Sequence, residues 1–160
     1  MPNPSLLKLA FEYATYHQLV IERTLGHGTD GSVWASDRNT AVKAIERQRN
    51  YYVELECYQR FRNANVTQIL GFAVPRLIDS DDDRQIIEIG LVTPPYVLDF
   101  AKSSLDRPID FSKEQLDDWD KQGRELFENR WTDVIALLWA LKQYGIYYYD
   151  AKPQNIMLAP

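Results

Sequence analysis

The chain has 160 residues, enough for one compact domain or two small lobes that share a cleft. A 45% hydrophobic and 26% charged composition excludes disorder as the default, and a formal net charge of −5 argues against a nucleic-acid surface, which needs clustered Lys and Arg. One cysteine, Cys57, and two histidines, His17 and His27, exclude an internal disulfide, a cysteine zinc cage and a histidine-rich metal site.

Met1 to Phe11 lacks the basic start and the cleavage site of a secretory signal. The longest apolar stretch, Val134 to Leu141, falls far short of the roughly 20 residues that span a bilayer. A cytoplasmic protein with no membrane partner is expected.

In chain order, Asn3-Pro4-Ser5 is a helix start, and Leu6, Leu7, Leu9, Ala10, Phe11 and Ala14 follow near helical spacing. A strand through Leu19-Val20-Ile21 leads into a Gly-rich turn from Gly26 to Gly31, and Ser32 to Ser36 is its returning partner. Asp37-Arg38-Asn39 turns the chain into a third strand, Thr40 to Ile45. Tyr51, Leu55, Tyr58 and Phe61 predict a helix over about 50–61. Strands are expected over 74–78 and 85–92, around the acidic run Asp79 to Asp83. Thr93-Pro94-Pro95 ends them, because proline lacks the donor a central strand needs.

The lobe boundary is placed there, giving residues 1–95 and 96–160. Residues 101–120 read as polar and irregular, with Ser112 before Glu114 and Gln115 as a helix-start signal. One long amphipathic helix is predicted over 125–144, stopped by Gly145. Residues 146–160 read as strand, loop and strand. The expected fold class is α+β: a five-stranded antiparallel sheet plus one helix, joined to a small helical part.

Three motifs carry chemistry. Gly26-His27-Gly28-Thr29-Asp30-Gly31 lets the backbone approach phosphate oxygens closely. Alone it is weak, and a plain hairpin turn fits it equally well. A dinucleotide fold needs a helix after the last glycine, but Ser32-Val33-Trp34 is β-forming. Lys43 lies on the next strand, and the next helix offers Glu54 or Glu56 as its partner. Glu54 is preferred, because Tyr58 and Phe61 then face inward.

The third motif is Asp150-Ala151-Lys152-Pro153-Gln154-Asn155, followed by the apolar Ile156-Met157-Leu158. It resembles the catalytic loop of the protein-kinase-like superfamily, and with the first two motifs the resemblance covers most of residues 17–160. The resemblance implies that Gly26, Gly28 and Gly31 cover the phosphates of ATP and that Lys43 holds the α/β pair. It implies further that Asp150 accepts the substrate hydroxyl proton, that Lys152 lies near the γ-phosphate and that Asn155 binds a metal ion, magnesium. Val33, Ala41 and Met157 would sandwich the adenine, with Ile89 to Pro95 as the hinge.

Two departures matter. Tyr148-Tyr149 replaces the family's His-Arg, so control through an activation-loop phosphate is not expected. The sequence stops at Leu158-Ala159-Pro160, where a further strand and the metal-binding Asp-Phe-Gly should follow. The resemblance therefore implies a kinase-like N-lobe with a truncated C-lobe, binding nucleotide with weak or absent autonomous transfer. The other readings are an active kinase completed by a partner or by a non-standard metal ligand from within the chain, and a scaffold without nucleotide.

The face of Trp131, Ile135, Leu138 and Trp139 is expected to be covered by the residue 5–16 helix, a second copy or another chain. The Asp79 to Asp83 run is expected to be a solvated turn, Leu116 to Asp120 an exposed helix face and Cys57 a core residue.

Overall fold

The computed structural model describes all residues from Met1 to Pro160. Helix α1 (Pro4–His17) starts at the Asn-Pro-Ser signal: the Asn3 side chain accepts from the Ser5 N–H, and Pro4 occupies a position whose N–H has no helical partner. Strands β1 (Ile21–His27), β2 (Gly31–Ser36) and β3 (Thr40–Ile45) follow, then α2 (Gln48–Asn63). Two strands too short to show alternation, β4 (Gln68–Ile69) and β5 (Phe72–Ala73), precede β6 (Leu77–Asp81) and β7 (Ile86–Gly90). The remainder is β8 (Tyr96–Val97), β9 (Ser104–Leu105), α3 (Lys113–Phe127), α4 (Trp131–Leu141), β10 (Ile146–Tyr147) and β11 (Ile156–Met157). No helix is long and apolar enough to cross a membrane.

Five strands form one antiparallel sheet in the order β1-β2-β3-β7-β6. With one helix after the third strand, this α+β arrangement is compatible with a kinase-like N-lobe. Strand β3 is buried along its whole length because helices lie on both faces. Val42 and Ala44, with Trp34 and Ile86, join Leu6, Ala10, Tyr13 and Ala14 of α1. Ala41 and Ile45 belong instead to the core that holds Tyr51, Leu55 and Tyr58 of α2. The strand period of two therefore places Lys43 on the α2 side. Beneath α1, the buried Glu88 carboxylate accepts from Tyr13 Oη and from Thr40 Oγ1, each at 2.7 Å. Without such donors a buried carboxylate would be strongly unfavourable.

The helical part corrects the predicted helix over 125–144. Helix α3 begins earlier, behind a capping box of Ser112 and Gln115, and the chain breaks at Glu128 (φ 52°) before α4. The break lets Trp131 fold back onto α3. A Cβ at Gly123 would lie 2.2 Å from the Trp131 ring, and Trp131 Nε1 donates to Asp120 Oδ1 at 2.9 Å. No glycine marks the turn at Glu128, so the sequence gives no sign of it.

The same fold-back covers most of the face for which the residue 5–16 helix, a second copy or another chain was expected as cover. Trp131 and Leu138 are buried, Ile135 is half-buried and only Trp139, 65% exposed, stands in solvent. The covering comes from α3, through Trp119, Gly123 and Phe127, and not from α1, which the back of the sheet requires. Trp119 itself is half-buried within a segment expected to be exposed throughout.

The acidic run is also only partly a turn, since β6 extends to Asp81. Its carboxylates are used separately: Asp79 lies 3.6 Å from His17, Asp81 pairs with Arg84, and Asp82 accepts from Tyr51 Oη.

Candidate functional site

The glycine turn is shorter than expected. Strand β1 continues through Gly26 to His27, with Gly26 opposite Val33, so only Gly28, Thr29 and Asp30 lie outside the strands. A Cβ at Gly26 or Gly28 would meet nothing within 4 Å, which leaves open space along this segment. Gly31 is demanded by packing, because a Cβ there would lie 2.2 Å from the Ala44 carbonyl oxygen across β2 and β3. Asp30 turns away from solvent: its carboxylate accepts from Asn50 Nδ2 at 2.9 Å and lies 3.4 Å from Lys102 Nζ.

Lys43 Nζ donates to both oxygens of Glu54, at 2.9 and 2.7 Å, and the two side chains are almost wholly buried. Glu56 points elsewhere and takes Arg60. Burial opposes the Lys43 charge, but Glu54 and then Asp99 outweigh it and hold the ammonium charged beyond its usual range. Burial pushes the Glu54 carboxyl up, Lys43 pulls it back and Asp99 adds to the rise. The geometry supports a charged Lys43 beside a carboxyl that takes up a proton more readily than a free one.

Asp99 is the residue that motif order concealed. Its Oδ1 lies 3.1 Å from Lys43 Nζ, and its backbone adopts φ 64°. Asp99-Phe100-Ala101 reads as Asp-Phe-Gly with alanine last, but it precedes α3 and α4, whereas the motif is expected after Leu158. The fold compensates for the order. Strand β8, which leads into Asp99, pairs antiparallel with β11, Val97 opposite Ile156. The Leu98 N–H donates to the Asn155 carbonyl and Tyr148 Oη donates to the Leu98 carbonyl, both at 2.9 Å. Phe100 is fully buried, edge-on to Tyr58 and Phe61 of α2 and to Tyr148.

On the other wall, Asn155 Nδ2 donates to the Asp150 carbonyl at 3.0 Å and to Asp150 Oδ2 at 3.2 Å, so the amide oxygen is the atom Asn155 can offer a cation. Lys152 Nζ lies 3.5 Å from Asp150 Oδ1. Burial, then the charges of Asp99, Asp150 and Glu54, push the Tyr148 phenol far up. Asp99 thus holds Lys43, the preceding residue Leu98 bonds the Asn155 backbone, and Asn155 holds Asp150.

The expected base-binding residues are more scattered in environment. Ala41 is buried opposite Ile89, Val33 is half-buried opposite Lys43, and Met157 is exposed opposite Tyr96. Cys57 is buried on α2, and burial pushes its thiol well up, as suits a core residue.

No three His, Cys, Asp or Glu side chains gather into a ready metal cage. Magnesium does not require one, since it keeps several waters and takes one or two carboxylates together with substrate phosphates. Asp99, Asp150 and the Asn155 amide oxygen are oxygen donors of that kind.

No family model matches the sequence, and no curated protein matches it. Among solved structures, the streptomycin–ATP–APH(2")-IIa ternary complex matches over 82% of this chain and 39% of that chain, with 11% sequence identity and a TM-score of 0.43. The chain therefore spans well under half of that protein's length. A likeness this distant carries no argument about the site, which rests on its own residues.

Proposed function

We propose that residues 1–160 form a kinase-like cleft that binds ATP together with a divalent cation. The observation that carries this reading is the meeting of Lys43 with Glu54 and Asp99 beside the glycine turn, on a segment hydrogen-bonded to Asn155. Lys43, already oriented by two carboxylates, meets the α- and β-phosphates. The Gly26–Gly28 backbone lies over them, and Val33, Ala41 and Met157 contact the base. Asp99, Asp150 and Asn155 hold the cation, which when bound neutralises charge on the β- and γ-oxygens.

Asp99 specifically favours the second reading, phosphoryl transfer by a non-standard ligand from within the chain. Asp150 then accepts the proton of the attacking hydroxyl, and Lys152 steadies the terminal phosphate. The expectation of weak transfer rested on a missing aspartate, and Asp99 offers one out of order.

Calorimetric titration with ATP, with and without magnesium, tests the reading. Binding strengthened by magnesium in the wild type, with that gain lost in Asp99→Asn, is expected. Removal of one metal ligand should lower any transfer rate about 100- to 1000-fold. Absence of binding under both conditions would overturn the proposal.

A further inference from the structure

The inner end of the proposed phosphate site, at Lys43, is shielded from solvent. Lys43 is 7% exposed and Asn155 4%, while Glu54 is fully buried. A triphosphate reaches Lys43 only if something opens.

The element that closes the site is identifiable. Asp30 is the last residue of the glycine turn, and its two carboxylate oxygens are held from different directions. Oδ1 takes Asn50 in the first turn of α2, at 2.9 Å. Oδ2 faces Lys102, 3.4 Å away, in the short turn that follows Asp99-Phe100. The Asp30 carbonyl also accepts from the Glu46 N–H at 3.2 Å, and the Gly28 N–H donates to the Gly31 carbonyl at 2.9 Å. Asn50 and Glu46 tie the turn to its own side of the cleft. Lys102 alone ties it to the segment that carries Asp99.

We infer that the Asp30–Lys102 ion pair is a latch that holds the glycine turn down over Lys43 and gates access to the site. The inference rests on the nucleotide reading for what passes the gate, and on the geometry alone for the latch. Asp30 is largely shielded, but the Lys102 side chain is 43% exposed, so the pair is weak enough to open spontaneously and is sensitive to salt. Opening releases the Lys102 ammonium beside the phosphate site, where an incoming triphosphate outcompetes a single carboxylate for it.

Two measurements on the full chain test this, with Lys102→Met and Asp30→Asn as variants. The first is hydrogen exchange without nucleotide, read at the Gly28 and Glu46 amides. Both variants should exchange there about 2- to 5-fold faster than the wild type, the range a partly exposed ion pair allows. Salt should speed the wild type towards that level and leave Lys102→Met unchanged. Exchange identical to wild type in both variants overturns the latch.

The second measurement is stopped-flow binding of a fluorescent ATP analogue. Association and dissociation should both rise by a similar factor in Asp30→Asn, which frees the turn and keeps the Lys102 ammonium, whereas Lys102→Met should raise dissociation more than association. Faster exchange with unchanged binding rates overturns the gate. A wild type that binds no analogue removes the nucleotide reading, while the exchange comparison still decides whether Asp30 and Lys102 hold the turn down.

Discussion

On the sheet side of the cleft, Lys43 and Glu54 are buried and joined at 2.7 and 2.9 Å. On the loop side, Lys152 and Asp150 are 43% and 24% exposed and stand 3.5 Å apart. The sheet side thus uses charges as part of its core, where removing one partner strands the other. The loop side keeps its charges in contact with water, where each can change partner at little cost. Under the proposed nucleotide reading, such an arrangement would fix the cation that receives ATP and leave adaptable the groups that face an acceptor.

Four substitutions would break or sharpen that contrast. Lys43→Ala leaves Glu54 and Asp99 as buried carboxylates without their cation, and should lower stability by about 3–5 kcal/mol in urea denaturation. A loss near zero would mean that the pair is not part of the core. Gly123→Ala probes the tightest contact on the helical side, since the new methyl would strike the Trp131 ring. Overpacking of this kind costs about 1–3 kcal/mol, and near-ultraviolet circular dichroism should report the displaced indole.

The third concerns pH. The folded Glu54 carboxyl lies above its unfolded value, so its contribution is complete at acid pH and is lost as pH rises through the folded value. The stability advantage of wild type over Glu54→Gln should therefore shrink by about 1–2 kcal/mol between about pH 5 and about pH 8. An advantage that grows over that interval would mean that Lys43 outweighs burial. The smallest effect belongs to Lys152→Ala, whose loss of an exposed pair should change stability by less than about 1 kcal/mol. A larger loss would make the two walls alike.

The contrast also explains what the sequence could convey. The β1–β2–β3 hairpin order, Lys43 on β3 and Glu54 on α2 follow from alternation, helical spacing and a glycine turn, all short-range patterns. Asp150, Lys152 and Asn155 stood out because they lie within one short loop. Asp99 did not, although Asp99-Phe100 stands openly in the sequence. Its placement depends on a pairing of two residues with two, β8 with β11, made between segments far apart in the chain. Periodicity carries no information about such a pairing. The break at Glu128 was hidden for a related reason, since a non-glycine residue at positive φ is imposed by the packing of Trp131 on Gly123. The role of α1 was missed because β3 and β7 are buried on both faces, and composition alone does not say which helix covers which face.

The central claim is that Lys43, Asp99, Asp150 and Asn155 serve one nucleotide and cation site. Manganese–ATP, added in small amounts to isotopically labelled protein, tests it most directly through paramagnetic broadening of amide signals. The account predicts loss of the Asp99, Asp150 and Asn155 resonances while those of Glu88 and α1 persist. Broadening confined to Asp79 to Asp83, or none near Asp99, would contradict it.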